Sequence, residues 1–210
     1  GYHLLQIAER LDQLEICPRA GFVPAAGDPS LRRELGIRGE SVEGFLFPAT
    51  YDLGVDSAPD AVIRGMVRTF RKRFERLEAK HAGAISRLRK ERGWSEHEIV
   101  TLASIVEREA RHQDEGKTIA SVYYNRLDDP EFRPQKMLMA DPTAGYGCVV
   151  SPERAPSCAG YQGRITPALL RDPKNAYNTY KHPGLPPGPI ANPGQNALEA
   201  VLAPGKTQYL

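Results

Sequence analysis

The sequence predicts an α+β fold in which helices pack around a small, mostly antiparallel sheet. Apolar residues recur at helical spacing in several segments between Leu4 and Leu127. Beyond Pro130 the chain becomes rich in glycine, proline and turn residues, and we expect the sheet to come from this second half. A chain of 210 residues is long enough to bury a sizeable core in one full-sized domain.

Apolar stripes and capping residues predict the helices, in chain order. They cover residues 4–14, a short stretch that follows 28–30, and residues 58–92, 95–111, 116–127 and 195–203. Asp28 supplies a cap and Pro29 a first-turn proline for the second of these. Ser95, followed three residues later by Glu98, forms a capping box. The aromatic stretch 42–51, in which Pro48 prevents a helix, is interpreted as a strand or ordered loop.

Composition excludes several classes of function. The formal net charge of +2 does not indicate a nucleic-acid partner, and the basic stretch 64–92 also carries glutamates, as the solvated face of a helix does. No apolar run approaches the roughly 20 residues that span a bilayer. The five histidines are scattered, so no metal site is expected. From spacing alone, Cys148 and Cys158 could form a bridge or remain two free thiols.

Two carboxylates near the end of the helix that starts at Ser95 are candidates for acid chemistry. At about 100° per residue, Glu107 and Glu109 fall near opposite margins of its apolar face. A carboxylic acid at such a margin is poorly solvated and can stay protonated, as a general acid must. The alternative is a surface glutamate paired with Arg108 or Arg111. Helical geometry does not choose between the two glutamates.

The second half carries polar and aromatic groups suited to sugars. Residues 141–143 and 177–180 supply Asp, Thr, Asn and Tyr side chains, and a run of glycines and prolines follows from Gly184 to Gly194. That run could be a flexible linker or a polyproline ligand. The flanking rings and amides also fit a rigid wall of a glycan groove, because such groups match sugar faces and N-acetyl groups.

Six ordered blocks of the sequence resemble the endolytic murein transglycosylases. The first three are Glu43-Gly44-x-Leu46-Phe47-Pro48-x-Thr50-Tyr51, Leu102-Ala103-Ser104-Ile105-Val106-Glu107-Arg108-Glu109 and Val122-Tyr123-Tyr124-Asn125-Arg126-Leu127. The next three are Asp141-Pro142-Thr143, Tyr177-Asn178-Thr179-Tyr180 and the run from Gly184 to Gly194. The resemblance covers about residues 40–205.

The resemblance implies a set of functional residues. Glu107, which closes the second block, is the implied catalytic residue. The implied substrate-binding residues are Glu43, Ser104, Asn125, Asp141, Thr143, Tyr146, Asn178, Thr179, Tyr180, Leu185, Pro186 and Asn192. An oxidising periplasm is also implied, and there we expect Cys148 and Cys158 to be joined.

The resemblance also implies domain organisation and location. Residues 1–40 would be the end of a LysM-like subdomain or a linker, and residues 41–210 a catalytic domain that continues beyond Leu210. The whole protein would be held by an N-terminal helix at the periplasmic face of the inner membrane. Its partners would be peptidoglycan glycan strands and peptidoglycan synthases.

The implied reaction cuts the bond from N-acetylmuramic acid to N-acetylglucosamine without water and leaves a 1,6-anhydro end. Glu107 acts first as acid and then as base, and no cofactor or metal is required. Ordinary glycosidases use two carboxylates instead. The alternative is a glycan-binding or scaffold module of the cell envelope, favoured by the departure of Leu138-Met139-Ala140 from the family pattern. Hydrolysis of peptide cross-links lacks a recognisable nucleophile.

Overall fold

The computed structural model describes residues 1–112 and 114–210, and this part of the chain folds into helices joined by ordered loops. The α-helices are α1 Leu4–Gln13, α2 Arg19–Gly27, α3 Pro29–Glu34, α4 Pro59–Lys80, α5 Ala82–Arg92, α6 Glu96–Glu109, α7 Gly116–Asp128, α8 Asp141–Val150, α9 Pro167–Arg171 and α10 Gln195–Leu202. Two single 3₁₀ turns follow α8, at Pro152–Arg154 and Pro156–Cys158.

The predicted sheet is wrong, and with it the α+β class. Within the residues that the structure describes, β pairing is limited to one isolated parallel bridge between Met137 and Gly184. Five prolines lie between residues 183 and 193, and each lacks the N–H that a ladder needs. Side-chain amides such as those of Asn178 and Asn192 bond the backbone here instead of neighbouring strands.

The helices that have an apolar stripe and a capping residue at their start lie where the sequence predicts them. The Asp28 carboxylate accepts from the Leu31 N–H at 2.8 Å and caps α3. Ser95 and Glu98 form the predicted capping box of α6. The predictions of α1, α7 and α10 are also confirmed within one residue at each end. These agreements follow from local chemistry, because a cap and its partner lie within one turn.

Several features of the helices differ from the prediction. The expected helix over residues 58–92 is interrupted at His81, so that α4 and α5 are separate. Helix α2 was not expected. Nor were α8, which begins with Asp141-Pro142, and α9, both of which lie in a region interpreted as turns. Gly147 in α8 lies against Asn175, where a Cβ would have no room. The glycines of α8 thus serve close packing rather than a turn.

Buried apolar side chains from both ends of the chain form one main core. It contains Phe22 and Leu4 from the first 40 residues together with Phe45, Phe70 and Ile105 from the rest. Helix α2 packs against both α1 and α4, and α6 packs against α7 and α10. Residues 1–40 therefore share the main core, and their division from residues 41–210 stays a prediction.

The longest helix is amphipathic rather than apolar throughout. Helix α4 has 22 residues, with Phe70, Phe74 and Leu77 on its buried face and arginine and lysine side chains on the other. In the described ranges, no helix combines the length and the apolar character that crossing a bilayer requires.

Candidate active site

Glu107 lies in the last turn of α6 and faces an open cleft of about 480 Å³. Its side chain keeps 25% of its surface exposed. Oε2 accepts a hydrogen bond from the Gly194 N–H at 3.1 Å, and the Gly1 nitrogen lies 2.7 Å from Oε1. The cleft is lined by Phe47, Pro48, Arg73, Val106, Glu107, Ala110, Arg111, His112, Gly116, Gly194, Gln195, Asn196 and Ala197.

The packing of α10 on α6 brings Gly194 to Glu107. Residues 99–106 of α6 are all buried, so the backbone position of Glu107 is fixed by the core. Gly194 is the N-cap residue of α10, and its N–H points away from the helix toward the carboxylate. The sequence did not predict this contact, because it joins residues 87 positions apart.

Ser104, three residues before Glu107, attaches the 184–194 run to α6. Its hydroxyl donates to the Thr101 carbonyl at 2.7 Å and accepts from the Ile190 N–H at 2.9 Å. The side chain is fully buried. The 184–194 run is thereby held as an ordered wall at this point, whereas the part played by Ser104 in substrate binding stays a prediction.

Asn192 joins the 184–194 run to the Glu43–Tyr51 block. Its Oδ1 accepts from the N–H groups of Gly44 at 2.9 Å and Leu46 at 2.8 Å. Its Nδ2 donates to Glu43 Oε1 at 2.6 Å and to the Tyr2 carbonyl at 3.1 Å. The amide is buried with its hydrogen-bonding groups satisfied within the chain. It supports the cleft from behind.

Gly44 is required by two independent features of this junction. Its φ of +91° is in the region that favours glycine. A Cβ there would also lie 2.5 Å from Pro189 and 2.8 Å from Val100. The Glu-Gly pair of the first block therefore allows the loop to approach α6 and the proline run closely.

Glu43 is a buried carboxylate behind the cleft. Oε2 accepts from the Leu4 N–H at 2.7 Å and from the Tyr146 hydroxyl at 3.0 Å, while Oε1 accepts from Asn192. Burial raises the pKa of Glu43 to about 7, and the hydrogen bonds donated by Leu4, Tyr146 and Asn192 oppose that rise. Glu43 and Tyr146 thus tie α1 and α8 to the loop that lines the cleft.

Thr143, Thr179, Asp141 and Tyr180 form two contacts between α8 and the 177–180 block. The hydroxyls of Thr143 and Thr179 lie 2.8 Å apart in the interior, and the Thr179 hydroxyl accepts from the Ala140 N–H at 3.0 Å. Nearer the surface, the Tyr180 hydroxyl donates to Asp141 Oδ1 at 2.7 Å. The two blocks are therefore neighbours in space, as a shared groove wall requires.

Asn178 is fully buried. Its Nδ2 donates to the carbonyls of Leu169 and Leu170, both at 3.1 Å, and of Asp172 at 2.9 Å. Its Oδ1 accepts from the Tyr180 N–H at 3.1 Å. These bonds give Asn178 the role of closing a loop. Contact between its amide and a sugar stays a prediction.

None of the twelve implied substrate-binding residues lines the Glu107 cleft, and this includes Asn125, Leu185 and Pro186. Asn125 Nδ2 donates to the carbonyls of Thr207 and Tyr209, at 2.9 and 2.8 Å, and holds the C-terminal stretch. Leu185 and Pro186 line a separate cavity beside the first turn of α6. Of the predicted site residues, Glu107 alone lines the cleft, and the others lie in its buried support or on other surfaces.

Glu109 lies on the other side of α6, as the helical spacing predicts. Its Oε1 accepts from the Tyr123 hydroxyl at 3.3 Å, and burial raises the pKa of Glu109. Among the residues that line the cleft in the described part of the chain, Glu107 alone carries a carboxylate. The described lining of the cleft therefore offers one carboxylic acid, that of Glu107.

Cys148 and Cys158 are joined in a disulfide, whereas Cys17 is free and buried. The bridge connects the last turn of α8 to the second 3₁₀ turn and lies in a small apolar cluster with Leu169. Within residues 1–112 and 114–210, no group of three His, Cys, Asp or Glu side chains is arranged to hold a metal ion.

The described part of the chain is a helical scaffold whose loops present one carboxylate, that of Glu107, in an open cleft. A family model matches residues 1–210, and the chain belongs to the YceG-like family.

Relatives and one solved structure agree with this assignment. The endolytic murein transglycosylase of Bacillus subtilis (strain 168) is 34% identical over 172 residues, covering 80% of this chain and 41% of the relative. The protein of the same name from Streptococcus pneumoniae serotype 2 is 27% identical over 236 residues, covering 100% of this chain and 38% of the relative. The chain thus spans about two fifths of the length of these relatives.

A crystal structure of a YceG-like protein from Listeria monocytogenes shares the fold. It superposes with a TM-score of 0.74 at 31% identity, over 100% of this chain and 66% of the crystallised one.

Proposed function

We propose that this chain is the catalytic part of an endolytic murein transglycosylase, which cuts peptidoglycan glycan strands at the bond from N-acetylmuramic acid to N-acetylglucosamine. The observation that carries the proposal is Glu107, a part-exposed carboxylate in a cleft where no second carboxylate lines the described walls. Most glycosidases that use water have two such groups. The names of the B. subtilis and S. pneumoniae relatives support the same reaction.

Glu107 serves as acid and then as base in this mechanism. It first protonates the glycosidic oxygen as the bond to the muramoyl C1 breaks. The resulting carboxylate then takes the proton of the muramoyl 6-hydroxyl, which attacks C1 and closes a 1,6-anhydro ring. The 2-acetamido group of the substrate stabilises the positive charge at C1. The Gly194 N–H holds Oε2 and so fixes the direction of the carboxyl group. No cofactor takes part.

The disulfide supports a location outside the cytoplasm. Disulfides persist in oxidising compartments and are rare in the cytosol. The Cys148–Cys158 bridge is therefore consistent with the periplasmic face of the inner membrane, where the substrate lies. The whole protein would be anchored there by an N-terminal helix and would work beside peptidoglycan synthases.

Mass analysis of digested glycan strands tests the reaction. The wild-type protein should release fragments with anhydro ends, which are about 18 Da lighter than hydrolysed ends because no water is added. Glu107→Gln keeps the shape of the side chain but cannot exchange the proton, so the rate should fall at least about 100-fold. Glu109→Gln is the matched control, because that residue bonds Tyr123 outside the cleft.

Three outcomes would contradict this function. Hydrolysed ends would indicate a glycosidase with water as the acceptor. Glycan binding without any cleavage would identify the alternative, a non-catalytic module of the cell envelope. Near-normal production of anhydro ends by Glu107→Gln would remove Glu107 from the mechanism.

A further inference from the structure

Two arginines line the Glu107 cleft from different elements. Arg73 projects from α4, and Arg111 lies just beyond the end of α6. Both are exposed, and across residues 1–112 and 114–210 neither forms an ion pair with a carboxylate. Glu107 is the one described lining residue with a carboxylate. The cleft therefore has more positive than negative charge, and its guanidinium groups are available to a ligand.

Neighbouring groups hold both arginines at the cleft. The Arg73 guanidinium carbon lies 5.9 Å from the centroid of the Phe47 ring, a cation–π contact with another lining residue. The backbone N–H of Arg111 donates to Glu115 Oε2 at 2.8 Å, and this bond fixes the main chain where α6 ends. A guanidinium on a positioned backbone loses less freedom when it binds than one on a mobile loop.

The proposed substrate offers one kind of group that matches this charge. The sugar rings of an N-acetylated glycan carry hydroxyls and amides, and neither is anionic. In peptidoglycan the muramoyl ring also bears a stem peptide, which carries free carboxylates. The muramoyl ring is the one whose bond to the next sugar is cut in the proposed reaction. Its stem peptide therefore branches from the glycan strand close to Glu107. Arginine binds carboxylates with two parallel hydrogen bonds, and more strongly than lysine does.

We propose that Arg73 and Arg111 form a subsite for a stem-peptide carboxylate, so that the protein selects peptide-bearing glycan over stripped glycan. This inference rests on the proposed function. It explains why a cleft for a largely neutral polymer has two unpaired cations. Because the subsite is open to solvent, its contribution should weaken as salt rises.

The experiment measures a ratio of two rates. Glycan strands with uncrosslinked stem peptides are compared with the same strands after an amidase has removed the peptides, and anhydro ends are counted. The wild-type protein should cut the peptide-bearing strands roughly tenfold faster, the effect of one charge-assisted hydrogen bond. Arg73→Gln with Arg111→Gln should bring the ratio close to one.

The matched control removes two charges elsewhere. Arg68→Gln with Arg89→Gln changes exposed arginines that do not line the cleft, and should keep the wild-type ratio. Arg73→Lys, which keeps a positive charge, should retain part of the preference. Circular dichroism checks that each variant is folded. If the double variant does not fold, binding of free muropeptide to Glu107→Gln, with and without Arg73→Gln, gives the same comparison.

The two proposals fail in distinguishable ways. Equal ratios for the wild-type protein and the Arg73/Arg111 variant, with anhydro ends present in both, would overturn the subsite and leave the proposed function intact. Absence of anhydro ends from both kinds of strand would instead overturn the function itself.

Discussion

Glu43 illustrates how a single residue of the family pattern can act from inside the protein. The resemblance implies that it binds substrate, yet its carboxylate is buried and accepts hydrogen bonds from Leu4, Tyr146 and Asn192. Two of these partners are N–H donors on different parts of the chain. The surroundings of Glu43 thus suit a hydrogen-bond acceptor, while burial disfavours the charged form of its carboxyl group.

Replacing Glu43 by Gln should destabilise the fold by about 1–3 kcal/mol near pH 8, since the new amide presents N–H groups to other donors. The effect should depend on pH. A carboxyl with a folded pKa of about 7 and an unfolded value of 4.5 takes up its proton earlier in the folded state. As the pH falls from about 7 to 4.5, the free energy of unfolding of the wild-type protein should therefore rise relative to that of Glu43→Gln. The rise should be at most about 1.4 kcal/mol per pH unit.

Urea unfolding between pH 5 and 8 measures this difference. Glu40→Gln, an exposed neighbour, is the control and should follow the wild-type curve. Parallel curves for the wild-type protein and Glu43→Gln would show that Glu43 does not titrate in this range.

Residue by residue, the sequence pointed to Glu107 but not to the walls of its cleft, because none of the twelve implied substrate-binding residues lines it. Helical spacing placed Glu107 and Glu109 on different sides of α6, and only the resemblance chose between them. The support of the cleft by Asn192 was not predictable, because its partners lie about 150 positions away. Arg73 was missed for the same reason: its place in the cleft depends on the packing of α4 against Phe47.

At the level of elements, helices were predicted correctly where the signals that define them are local. The predicted sheet was wrong, because strand pairing depends on contacts that are not local. A stripe and a cap defined the start of α6, because each involves neighbours within a turn. The sheet was expected from the turn-rich second half, in which the 184–194 run was interpreted as a linker, a polyproline ligand or a rigid wall. In the structure the Ile190 N–H of this run donates to Ser104 and the Asn192 side chain accepts from the Gly44 N–H, a choice that only tertiary packing decides.

The disulfide should stabilise the connection between α8 and the loop that follows it. Cys148→Ala with Cys158→Ala should lower the free energy of unfolding by about 2–3 kcal/mol, because the bridge closes a loop of 10 residues. Thermal unfolding with and without reductant measures the effect. The double variant is its own control, since reductant should shift the wild-type midpoint and leave that of the variant unchanged.

A thiol count gives an independent check on the same bridge. Denatured protein from an oxidising compartment should present one reactive thiol, that of Cys17. Three reactive thiols would contradict the pairing.

The molecule as a whole should unfold in one cooperative transition, because residues 1–40 share the main core with the rest. Two natural probes report the two regions. Cys17 is buried in the first 40 residues, and Trp94, the single tryptophan, lies in the remainder. Labelling of the Cys17 thiol and Trp94 fluorescence should therefore give the same urea midpoint. Exposure of the thiol at a lower urea concentration would support an independent N-terminal subdomain.

The join between Asn192 and the Glu43 loop has a consequence for the timing of activity. Glu107 is near the middle of the chain, but its cleft also needs Phe47 from an early segment and Gly194 from a late one. Contacts between such distant positions close slowly and late in folding. During synthesis, the chain can present Glu107 long before the walls around it exist. A glycan-cutting site built in this order is incomplete in every unfinished chain.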